Sequence, residues 1–100
     1  MKNTAGQTII KVDKTKLTGQ PNSITQFIGR NGGIERNYYD NSGKQTKQIS
    51  NHDHGNRKRH PYGKNGEHGH DYVYDESGKL IMRTTRELTD EERRENDDIL

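Results

Sequence analysis

The sequence predicts an α+β fold: a small antiparallel β-meander of about four strands in two hairpins, with a short C-terminal helix. Three observations carry this. YYDNSGKQ at 38–45 is echoed by VYDESGKL at 73–80, with Asp, Ser, Gly and Lys in register. The segments flanking each copy are β-prone and alternate in character, as half-buried strands do. LTDEE at 88–92 reads as a helix start: Thr89 can cap it, Glu92 completes a capping box, and acids fill the first turn, where the dipole favours them.

Along the chain, residues 1–23 hold one β-like patch, TIIKV, followed by a Gly-Gln-Pro-Asn-Ser breaker. They read as an N-terminal arm or edge strand, loosely held unless it docks. Residues 24–100 form a single small α+β domain. Ile24, Phe27 and Ile28 suit one helical turn as well as a strand. IERNYYD should pair with KQTKQIS, and HGHDYVYD with KLIMRTT. In each turn Asp bonds nearby backbone N–H groups, and Gly supplies the positive φ that closes a type I turn with a bulge. Alternation puts Ile34, Arg36 and Tyr38 opposite Glu35, Asn37 and Tyr39. It also puts His68, His70, Tyr72 and Tyr74 on one face, with Asp71 and Val73 on the other. The helix runs to about Asp97. Being polar almost all round, it suits weak docking or a partner.

Only 23% of the 100 residues are hydrophobic and 32% are charged, so the core must be thin. Chains this small and polar often lean on a metal, a partner or a dimer. Cysteine is absent, which excludes disulfides and thiolate ligands together. The longest apolar runs are pairs or triples such as Leu80-Ile81-Met82, so neither a signal peptide nor a membrane segment is expected. Net charge is +3 over residues 1–29, +5 over 30–64 and −6 over 65–100. A basic middle of this kind could meet a polyanion, or it could pair with the acidic tail inside the fold.

All five histidines lie in NHDHGNRKRHPYGKNGEHGHDY, residues 51–72, and three readings of that segment stay open. The first is a metal site. His52-x-His54 and His68-x-His70 would each aim two imidazoles to one side of a strand. His54, His60, His68 and His70 could then share Zn²⁺ or another divalent transition metal. Asp53, Glu67 and Asp71 are possible further ligands or acceptors. The second is metal-independent, RNase-like cleavage of a nucleic-acid backbone. Histidine suits the acid and base roles, so His54, His60, His68 and His70 are the catalytic candidates, with His54 and His70 foremost. Arg57, Lys58, Arg59 and Lys64 would hold the phosphate, and Tyr62 or Tyr72 would stack on a base. The third is a polar surface loop whose histidines bond backbone and solvent.

From about Lys14 to Leu100 the chain resembles the C-terminal domain of phage and prophage minor head (head-morphogenesis) proteins of Gram-positive bacteria. Asp53-His54-Gly55, His60-Pro61 and Glu67-His68-Gly69-His70-Asp71 carry the likeness, with RELTDEERRENDDIL after them. A similar order of DHG, His and HxH marks terminal cassettes of polymorphic-toxin-type proteins. That order selects His54, His60, His68 and His70 and passes over His52. The resemblance implies a mobile-element origin and a place in the bacterial cytoplasm or with the virion. Its partners would be nucleic acid, for a toxin-like effector, or phage head and portal proteins, for a non-catalytic assembly module.

Overall fold

A computed structural model describes residues 1–58 and 61–100; Arg59 and His60 lie outside the described residues. Six strands follow one another across a single sheet in chain order: β1 (Ile10–Lys11), β2 (Ile24–Ile28), β3 (Ile34–Tyr39), β4 (Gln45–Ser50), β5 (His68–Tyr74) and β6 (Leu80–Arg86). The four-strand meander is thus the larger part of a mixed sheet. β2 to β6 pair antiparallel, and β1 joins the β2 edge in parallel.

Both YD-x-SGK segments are hairpin turns. The Asp40 carboxylate accepts from the Ser42 and Lys44 backbone N–H groups, and Asp75 does the same for Ser77 and Lys79. Gly43 and Gly78 follow at φ +82° and +86°, a region that glycine enters without Cβ strain. Register shifts after Tyr38 and Val73 mark the bulges that accompany these turns.

Ambiguous from its spacing alone, SITQFIG is a strand. Pairing with β3 satisfies its backbone, with Thr25 opposite Asn37 and Gln26 opposite Arg36. The first 23 residues fold back on the domain. Ile9 is buried, Tyr39 Oη donates to the Lys16 carbonyl at 2.6 Å, and Thr4 N–H donates to the Glu95 carbonyl at 3.0 Å.

The C-terminal helix α1 (Asp90–Glu95) has the expected capping box at Thr89 and Glu92, and a 3-10 turn (Asp97–Ile99) follows it. It docks on the sheet through polar rather than apolar contacts. Glu92 is buried between Arg86 (2.8 Å) and Lys47 (3.1 Å). Arg36, fully buried in β3, donates to Asn96 at 3.0 Å and to both Asp98 carboxylate oxygens. The basic middle and acidic tail therefore meet, in part, inside the fold.

Among the described residues the buried hydrophobic ones are Ile9, Ile24, Tyr39, Ile49 and Leu88. They share the interior with Arg36, Asn37, Gln45, Gln48, His68, His70 and Asn96, so hydrogen bonding organises much of the core.

Candidate histidine site

Register decides which side chains share the second face of the sheet. Glu35, Ser50 and His68 lie in one cross-strand row on β3, β4 and β5. Asn37, Gln48, His70 and Thr85 lie in the next. Directly paired residues in an antiparallel sheet point to the same side. The β4–β5 connection then returns over these rows and lays His52 and His54 against them.

His68 and His70 are 0% and 1% exposed. Their Nε2 atoms stand 3.0 Å apart, with His68 Nδ1 2.8 Å from the Gly66 carbonyl and His70 Nδ1 3.0 Å from Thr85 Oγ1. A carbonyl only accepts, so His68 carries a proton on Nδ1. Burial, then the charges of Arg83 and His68, push the His70 imidazole down to about 3, so it is neutral at pH 7.

His54 completes the group. Its ring centroid is 5.0 Å from that of His68 and 6.3 Å from that of His70. One ligand nitrogen from each of His54, His68 and His70 falls within 4.8 Å of the others, so these three could hold a metal ion. A second, overlapping group contains Glu35, His52 and His54, with His54 Nδ1 3.7 Å from the Glu35 carboxylate. Burial raises the Glu35 carboxyl, against the opposing charges of His52 and Arg83.

Several expectations need correction. β4 ends at Ser50, so His52-x-His54 is a turn rather than a strand pair. His54 has φ +57°, and the two rings are 4.4 Å apart. His52, which the resemblance passes over, belongs to the site. Its ring packs so closely on Gly33 that any Cβ there would collide with it. The acidic candidates are directed elsewhere. Asp53 caps the Gly55 N–H, Glu67 takes the Lys64 and Asn65 N–H groups and Arg93, and Asp71 binds Arg86.

Of the proposed phosphate-binding residues, Arg57 donates to the Tyr62 and Gly63 carbonyls and so braces the loop. Lys58 and Lys64 are exposed on that loop, while Arg59 and His60 fall outside the described residues. Tyr62 is 6.1 Å from His68, ring to ring. Glu35, Ser50, Arg83 and Thr85 were missed. Only cross-strand register could have found them, because none lies in the histidine segment.

No protein-family model matches the sequence, and no curated protein or solved structure matches it either.

Proposed function

We propose that His54, His68 and His70 hold one divalent transition metal, zinc foremost, in a phage-derived domain that acts on a phosphate ester. One observation carries this reading: an imidazole from the β4–β5 connection converges on two neighbouring imidazoles of β5, and those two already stand close to ligand spacing. Zinc–nitrogen bonds of about 2.0–2.1 Å at the tetrahedral angle place neighbouring ligand nitrogens roughly 3.3 Å apart, and the two Nε2 atoms, now 3.0 Å apart, need only a small shift to reach that. His54 must close by about an ångström, and it lies in a turn rather than on the sheet.

The surroundings supply what metal-bound imidazoles need. Each buried histidine has an oxygen at Nδ1 that orients the ring, and at His68 the carbonyl also keeps a proton on Nδ1. Thr85 fits either state, since its hydroxyl can donate to Nδ1 or accept from it. Ser50 gives independent support. Its hydroxyl is buried between Glu35 and His68 without a hydrogen-bond partner among the described residues. A bound divalent metal supplies Lewis acidity toward a phosphoryl oxygen and makes bound water acidic. The likeness to phage minor head domains and toxin cassettes supports a nucleic acid as the ester.

The test is elemental analysis of protein purified without a tag, with melting followed in EDTA and in added zinc. Stoichiometric metal and a melting temperature lowered by EDTA are expected. Metal well below one per chain, with melting indifferent to EDTA and zinc, would end this reading.

Glu35 and His54 favour a second, metal-free reading. A carboxyl raised by burial beside an exposed imidazole is an acid–base pair for backbone cleavage of RNA. Cleavage of labelled RNA in EDTA, lost in both Glu35→Gln and His54→Ala, would support it. No cleavage in EDTA by the wild type would exclude it.

A further inference from the structure

The sheet strands carry three arginines, and they are held in two different ways. Arg36 and Arg86, on the helix face, are neutralised. Arg36 meets Asp98, and Arg86 meets Asp71 at 2.6 Å and Glu92 at 2.8 Å. Arg83 is on the histidine face. Its Nε donates to Tyr72 Oη at 3.1 Å and its Nη2 to Gln48 Oε1 at 3.3 Å. The guanidinium carbon stands 5.5 Å from the Tyr72 ring centroid. All three contacts are with neutral groups. Among the described residues no carboxylate reaches ion-pair distance of Arg83, and its side chain is exposed.

An arginine fixed in this way keeps its full charge and its remaining N–H donors while much of its freedom is already lost. That is the arrangement in which a planar guanidinium grips two oxygens of a phosphate with little further ordering. The position fits as well. Gln48, which steadies the guanidinium, is the cross-strand neighbour of His70, and Thr85, two residues along β6, contacts the same imidazole. The charge of Arg83 bears on both His70 and Glu35. The loop cations are less suited, since Arg57 is committed to backbone carbonyls.

We infer that Arg83 is the seat for a phosphate oxyanion of the substrate, a nucleic-acid phosphodiester, beside the histidine cluster. The inference rests on the proposed action at a phosphate ester but not on a metal being bound, so the two fail separately.

The experiment titrates an oligouridylate of six nucleotides, with inorganic phosphate in parallel, into the full chain in EDTA. Backbone and arginine side-chain NMR shifts follow the binding. Wild type is expected to bind the oligonucleotide with the Arg83 Nε resonance shifting. Arg83→Gln should weaken binding tenfold or more, and Arg83→Lys, which keeps charge but loses the fork, should fall between. Arg83→Gln should still bind one zinc per chain, no more weakly than wild type, and its backbone spectrum should stay dispersed, which separates loss of the seat from loss of the fold or of the metal site. Equal affinity of wild type and Arg83→Gln, or shifts confined to Lys58 and Lys64, would overturn the inference. So would an oligonucleotide that does not bind at all.

Discussion

On the helix-bearing face of the sheet, Arg36, Lys47 and Arg86 meet Asp98, Glu92 and Asp71, so charge is cancelled by charge. Across the same strands, one residue out of step, His68 meets His70, His70 meets Thr85 and Gln48 meets Asn37 through neutral hydrogen bonds. The first arrangement uses up its charges in holding a tail, whereas the second leaves an unneutralised arginine and a knot of imidazoles. The comparison teaches where function can sit. Buried ion pairs are costly to break but contribute little recognition, while an ordered neutral ladder keeps its lone pairs and donors aimed.

The largest effect should come from breaking the ionic face. Arg36→Ala leaves Asp98, Asn96 and Gln26 without their buried partner, and should cost about 3–5 kcal/mol in urea unfolding. A loss under about 1 kcal/mol would mean that the tail is not held as described.

Acid should separate the faces. His70 has a folded pKa near 3 against an ordinary 6.5. The unfolded chain therefore takes up this proton first. In EDTA, stability should fall as pH drops from about 6.5 toward 3, with a slope near 1.4 kcal/mol per pH unit. Glu92 and Glu67 are held at about 2. Burial would raise both, but Arg86, the Thr89 N–H and Lys47 outweigh it for Glu92, and backbone N–H groups with Arg93 do so for Glu67. Their contribution is present above about 4.5 and is lost between there and 2. Denaturant midpoints should fall below about pH 6.5 and more steeply below about 4.5, and His70→Gln should remove the fall above 4.5 and lessen the slope below it. A profile that is unchanged in His70→Gln would contradict the neutral buried pair.

A smaller change should sharpen the histidine face. Thr85→Val removes the oxygen at His70 Nδ1 and should weaken zinc binding about 10–100-fold with the fold retained. Smallest of all, Thr89→Ala removes the helix cap and should cost about 1 kcal/mol without altering zinc affinity.

How much of this was legible in the sequence differs between the faces. The hairpins could be read because Asp40 and Asp75 sit at fixed offsets from Gly43 and Gly78, and turn chemistry is local. The capping box at Thr89 is local too. The TIIKV patch was legible as an arm or edge strand, but its parallel pairing with β2 was not, because two residues paired in parallel leave no periodic mark. The polar contacts of the helix were not legible, because a polar helix shows no apolar stripe and nothing in one segment announces that Asn96 will meet Arg36. At the site, residue type alone drew attention to His54, His68 and His70. Glu35, Ser50 and Arg83 arrive from three other strands, and register rather than composition brings them there.

The most direct test is a calorimetric zinc titration at pH 7 of the tag-free protein and of His54→Ala, whose exposed position spares the fold. One zinc per wild-type chain, with His54→Ala weakened at least tenfold at an unchanged apo melting temperature, is the result expected of three converging imidazoles. Absence of stoichiometric binding, or equal affinity in the two proteins, would contradict it.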